Sequence, residues 1–232
     1  MSLFRNAALV LALAIIAPAA FAGAHAPLPP DKVKINELVG ETQKSSASPK
    51  VLDLVWWIPP QFWATALANE KDGDFRKEVD EIFSKYTVVA VVRGDLGSLG
   101  VNHYSTEPEL RQGLSFTGSD GIARQPLPAD KVDRRLDTLI QMLKPMFSSM
   151  LGQMGSNVNF FAFPAKDAAG KPLADPLGTG SLTLTMAGQA YAFRLPLGSL
   201  LKPQQDPASG EIFPGSYEFN PYTGAALQSV AQ

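Results

Sequence analysis

Two short segments, Val51–Ile58 (VLDLVWWI) and residues 87–92 (TVVAVV), are apolar at consecutive positions rather than at alternate ones. A strand of that kind buries both faces, so it needs one layer of structure above it and another below. β-Branched residues dominate the second segment, which favours extended backbone. Pro59-Pro60 ends the first. Between them the pattern predicts a short helix burying Phe62, Trp63, Ala66 and Leu67. A clearer helix follows over residues 74–86, with Phe75, Val79, Ile82, Phe83 and Tyr86 on one face and charges on the other. The opening unit reads strand, helix, helix, strand. Parallel strands need a helical crossover, so a parallel pairing of the two is expected.

The rest mixes both periodicities. Residues 114–117 and 122–124 flank Ser119-Asp120-Gly121, which is turn chemistry for a hairpin. Residues 129–151 form the longest expected helix. Its apolar stripe is Val132, Leu136, Leu139, Ile140, Leu143, Phe147, Met150 and Leu151, and Pro145 is expected to kink it. Residues 158–163 (VNFFAF) are apolar on both sides and read as a central strand. Residues 181–186 and 191–195 alternate cleanly around Ala187-Gly188-Gln189, as in a hairpin with one buried and one wet face. The fold class is therefore α+β with a mixed sheet, one long helix and antiparallel hairpins.

The start of the chain carries a different signal. Arg5 precedes an apolar run over residues 7–16, and Ala20-Phe21-Ala22 and Ala24-His25-Ala26 both fit a small-x-small cleavage site. This is the pattern of a secretory signal peptide, residues 1–22, with a cut after 26 as the alternative. The run is too short for a spanning helix. Residues 23–50 then read as a tether or linker, and 51–232 as a single domain. Export to a periplasm is expected, with the extracellular space as the alternative. No Cys occurs, although disulfides are permitted in those compartments. The formal net charge of −2, without a basic run, lacks the electrostatic footprint of a nucleic-acid binder.

The tail, residues 203–227, repeats one frame. Asp206-Pro207-Ala208-Ser209-Gly210 and Asn220-Pro221-Tyr222-Thr223-Gly224 both read x-Pro-x-x-Gly, with Phe213, Tyr217 and Phe219 between them. The segment resembles a zinc ribbon, whose two knuckles read Cys-Pro-x-Cys-Gly and hold one tetrahedral zinc through four thiolates. The resemblance places Asp206, Ser209, Asn220 and Thr223 at the ligand positions. Neutral oxygens are poor zinc ligands, so no metal is expected there and side-chain hydrogen bonds take its place. The alternative is two separate Pro/Gly turns beside a short hairpin.

Residues suited to chemistry are few. His25 lies at the cleavage region, which leaves His103, beside Ser105, for any triad, and no G-x-S-x-G frame is present. Gly178, Gly180 and Gly188 lack the Lys-Ser/Thr end of a phosphate loop. Asp53, inside a buried strand, needs a partner, and Arg93 at the end of the second buried strand is the candidate. With parallel strands, Arg93 and Asp95 would emerge at a strand end, where ligands bind α/β sheets. Trp56, Trp57, Phe62 and Trp63 read as a core corner, with a binding surface as the alternative. Met142, Met146, Met150 and Met154 lie beside the helix stripe as gap fillers or an adaptable partner face. No cofactor is expected. The leading functional expectation is a non-enzymatic accessory or binding module acting on another envelope component. The alternatives are a carboxylate-using enzyme around Asp53, Arg93 and Asp95, or a small-ligand binder in the sheet cleft.

Overall fold

The computed structural model describes residues 25–46, 48 and 50–230. The expected signal peptide lies outside the described residues, and so do the side chains of Leu143, Met146 and Met150. In chain order the elements are α1 (Ile35–Thr42), β1 (Gln43–Ser45), β2 (Val51–Ile58), α2 (Pro60–Ala66), α3 (Gly73–Lys85), β3 (Tyr86–Gly97), β4 (Gly100–Tyr104), α4 (Glu107–Gly113), β5 (Leu114–Thr117), β6 (Ala123–Arg124), α5 (Arg134–Leu151), α6 (Gln153–Ser156), β7 (Asn159–Pro164), β8 (Gly180–Met186), β9 (Gln189–Leu195), β10 (Gln204–Gln205), β11 (Ile212–Phe213) and β12 (Gln228–Ser229).

The fold is α+β, but β2 and β3 pair antiparallel, from Val51 opposite Asp95 to Ile58 opposite Val88. The expectation of a parallel pair, and with it of a mixed sheet, is corrected: every pairing between named strands is antiparallel. The reason lies in the two helices. A single helix carries the chain back along the sheet, whereas a helix pair of seven and thirteen residues leaves it free to return to either end. The chain then re-enters beside the end it left.

Sheet 1 runs β1-β2-β3, and the long β3 is flanked on its other edge by β7 along one half and β4 along the other. Sheet 2 runs β6-β5-β8-β9. Alternation sends Trp56 and Trp57 to opposite faces of sheet 1, and both faces are covered. Trp57 meets Phe193 of sheet 2 at 5.9 Å between ring centroids, and Phe163 meets Phe116 at 5.4 Å. On the other face, Trp56 packs edge-on against Phe62 and Phe147 of the helical layer. Trp63 stacks on Phe83 at 4.6 Å. The result is three layers: helices, sheet 1, sheet 2. The tryptophans sit in or against the core, with Trp56 and Trp57 fully buried.

Three further expectations change. Residues 23–50 are not a tether in the part described: Leu38 is fully buried, β1 pairs with β2, and the Leu28 N–H donates to the Leu200 carbonyl at 2.8 Å. Glu41 accepts from the N–H groups of Gly198 and Ser199, both at 2.9 Å, which pins α1 to the far side of the chain. The long helix begins at Arg134 because Asp133 caps it, accepting the Arg135 N–H at 3.0 Å, and it continues through Pro145. β7 is not central. It pairs only with β3, and its outer edge is covered by the loop before α5, where Leu127 N–H donates to Ala162 O at 2.8 Å. Burial on both faces therefore comes from layers, not from two strand neighbours.

Candidate functional site

Asp53 and Arg93 stand directly opposite each other in the β2–β3 register, on the face of sheet 1 that meets sheet 2. The partner suggested by the sequence is present, and the antiparallel registry is what brings it opposite Asp53. Arg93 Nη1 donates to Asp53 Oδ2 at 3.0 Å and lies 3.2 Å from Oδ1. From sheet 2, the Tyr191 hydroxyl donates to Asp53 Oδ2 at 2.8 Å. Asp53 is 2 % exposed, whereas the Arg93 side chain is 23 % exposed and opens to solvent on one side. Burial first, and then the bond to the carboxylate, push the Tyr191 hydroxyl well above its usual pKa, so it remains a protonated donor throughout the physiological range.

These groups line a cleft of about 620 Å³ where the two sheets diverge. Its walls come from two sheet edges: Lys44, Ser45 and Ser46 at the β1 edge, and Ala187 to Ala192 around the β8–β9 turn. The Ser46 Oγ accepts the Asp53 N–H at 3.1 Å and donates to Val51 O at 2.7 Å, which fixes that wall. Lys44 Nζ lies 5.9 Å from the Phe193 ring centroid, a cation over an aromatic face. Among the described residues, the ion pair within the cleft is Arg93–Asp53, and Lys44 has no carboxylate partner. The cleft therefore carries an uncommitted positive charge beside a neutralised pair.

The other sequence candidates fall elsewhere. Asp95 is exposed and faces His103 across β3–β4, outside the cleft. His103 Nε2 lies 3.6 Å from Glu109 Oε2, and both side chains are more than half exposed. The Glu109 carboxylate is engaged by the backbone and hydroxyl of Thr106, which hold its pKa below the usual range, and it closes the capping box of α4. No nucleophile is aligned with His103 among the described hydrogen bonds. Lys44, Ser46 and Tyr191 were not legible as site residues. Lys44 lies in the segment read as a linker, and Tyr191 in the alternating hairpin, whose pattern gives it no site role.

In the tail, the two x-Pro-x-x-Gly segments fold alike. Each opens with a buried side chain, Asp206 or Asn220, whose Oδ1 accepts the N–H groups two and three residues on. The N–H groups of Gly210 and Gly224 return to the opening carbonyls at 2.8 Å, and both glycines adopt positive φ, 75° and 73°. Asn220 Nδ2 donates to Asp206 Oδ2, so the opening residues of the two turns meet. That amide, followed by the Ser209 and Ala208 N–H groups, holds the Asp206 carboxyl below its usual pKa. Ser209 and Thr223 do not join them. Their exposed hydroxyls accept the N–H groups of Glu211 and Ala225 within their own turns. Among the described residues, no three His, Cys, Asp or Glu side chains gather into a metal-binding group.

Comparison with known proteins finds no matching family model, no matching curated protein and no matching solved structure.

Proposed function

We propose that this chain is an exported, non-enzymatic binding module of the cell envelope, holding a carboxylate-bearing ligand in the cleft between its two sheets. The observation that carries this is the charge arrangement at the cleft. Lys44 is unpaired among the described residues, while the carboxylate beside it is already satisfied by Arg93 and Tyr191. A general acid or base needs a lone pair or proton within reach of its substrate. The buried Asp53 oxygens are spent on structure, which weighs against the carboxylate-enzyme alternative. An anion entering the cleft meets Lys44, the exposed flank of Arg93 and Ser45, while the Ser46 hydroxyl proton is already given to the Val51 carbonyl.

Export rests on the Arg5, apolar-run and small-x-small pattern at the start of the sequence. Among the described residues no helix is long and apolar enough to cross a membrane. The direct test is calorimetry with succinate as the probe, on protein recovered from the envelope fraction and sequenced at its N-terminus. Saturable binding that weakens about tenfold in Lys44→Gln supports the reading, since an ion pair in a partly desolvated site contributes on that scale. Binding that ignores Lys44→Gln refutes the site, and an N-terminus still at Met1 refutes export.

A further inference from the structure

We propose that the natural ligand is an extended acidic peptide segment that pairs with β9 as an added strand, which rests on the cleft reading above. β9 is the outermost strand of sheet 2. Its two-residue turn, Ala187-Gly188, makes Met186 and Gln189 the closing hydrogen-bonded pair. Hydrogen bonding alternates along an antiparallel pair, so the N–H and C=O groups of Ala190, Ala192 and Arg194 point away from β8. None of these three has a backbone partner among the described residues, and the Ala190 carbonyl accepts a side-chain bond from Gln189 Nε2 at 3.3 Å.

Edges of that kind are ordinarily protected, because unpaired backbone groups are a template for another strand. The other edges here follow the rule. β1 and β6 are three and two residues long, β4 pairs through a bulge, and β7 is covered by the Leu127 loop. β9 has seven residues in unbroken register with β8, no proline, and small Ala190 and Ala192 on its outer face. It also forms one wall of the cleft. A strand laid along it would send alternate side chains inward beside Tyr191 and Phe193, under the Lys44 ammonium. An acidic side chain at those positions meets the uncommitted charge. A second copy of this chain fits less well: β9 carries no acidic residue, so two copies joined edge to edge there bring no counter-charge to Lys44. Main-chain bonds then supply affinity, and Lys44 supplies the preference for acid.

The test uses the folded chain with fluorescein-labelled, end-capped peptides of alternating valine and glutamate, or valine and lysine, six residues long. Succinate calorimetry runs in parallel. Ala192→Pro removes one outward N–H and places a ring on the edge without touching a β8–β9 bond. The glutamate peptide should bind at least about tenfold better than the lysine peptide. Ala192→Pro should lose the peptide by a similar factor over and above any change in its succinate affinity, while Lys44→Gln weakens both. If Ala192→Pro fails to fold, a glutamate peptide N-methylated at every residue gives the same information on the unaltered protein, and should bind at least about tenfold worse. Undiminished peptide binding by Ala192→Pro, or by the N-methylated peptide, overturns strand pairing and leaves the succinate result standing. Peptide binding that ignores Lys44→Gln overturns the acidic preference. Self-association abolished by Ala192→Pro assigns the edge to a second copy and overturns the peptide.

Discussion

Replacing Asp53 by Asn separates a structural carboxylate from a working one, because the two roles predict opposite changes in binding. Asparagine keeps the shape of the side chain and an acceptor for the Tyr191 hydroxyl, which lies 2.8 Å away, but removes the charge facing Arg93. Breaking a buried ion pair by deleting one partner costs about 3–5 kcal/mol when the other is stranded. Arg93 is not stranded here, since its side chain is 23 % exposed and can be hydrated from the cleft. What is lost is charge assistance on the hydrogen bonds to Asp53, about 1 kcal/mol for each of two donors. The expected destabilisation is therefore about 2 kcal/mol. With a urea slope of about 2 kcal/mol per molar, the unfolding midpoint falls by about 1 M.

Ligand affinity should move the other way. With Asp53 neutral, the Arg93 charge is no longer cancelled within the cleft. An anion about 5 Å away gains about 0.8 kcal/mol even at the dielectric constant of water, and about 3 kcal/mol at a value near 20. Succinate should then bind at least about fourfold more tightly to Asp53→Asn than to the unaltered chain, with the gain shrinking at high salt. Calorimetry on protein shown to be folded by its urea transition measures this directly. A folded Asp53→Asn that binds succinate less well, or that loses an enzymatic activity found in the unaltered chain, refutes the structural role assigned to this carboxylate.

Three other outcomes follow from the structure. Thr65 Oγ1 is buried without a partner beside a small cavity of about 50 Å³. The near-isosteric Thr65→Val should therefore stabilise by up to about 1 kcal/mol in urea unfolding, and a loss of that size would mean the hydroxyl is bridged by a water. Arg135 binds both Asp133 and Glu81 and holds each carboxyl at about 2. A folded pKa below the unfolded one adds stability that is present above the ordinary carboxylate range and is lost as pH falls toward 2. Arg135→Gln should accordingly flatten the fall of Tm between pH 5 and about pH 2, and an unchanged acid slope would contradict the pairing. In the tail, Asn220→Asp sets two carboxylates against each other where Asn220 now donates to Asp206. Hydrogen exchange of amides in residues 204–229 should quicken at neutral pH and slow again in acid, while unchanged exchange would show that the two turns are held by other contacts.

How much of this was legible in the sequence depends on the range over which each signal acts. Apolar runs report burial, so Val51–Ile58, residues 87–92 and the alternating hairpin fall close to β2, β3 and β8–β9. Burial does not report direction. The same strand-helix-helix-strand pattern serves a parallel crossover and an antiparallel return, and the structure takes the return. The same ambiguity mistook a covered edge strand, β7, for a central one. Short polar segments carry still less signal. Residues 43–46 have no periodicity to show that they cap a sheet edge, yet they bring Lys44 and Ser46 to the cleft. Asp53 follows from the rule that a charge inside an apolar strand must be paired, and Arg93 from its place at the end of the second buried strand. Tyr191 could have been found by the same logic, as a hydroxyl on an inward-facing position that also needs a partner. The antiparallel return is what makes the site. Parallel strands would hold Asp53, third in its strand, and Arg93, late in its own, far apart, whereas the return sets them face to face and closes the carboxylate on its own neighbours.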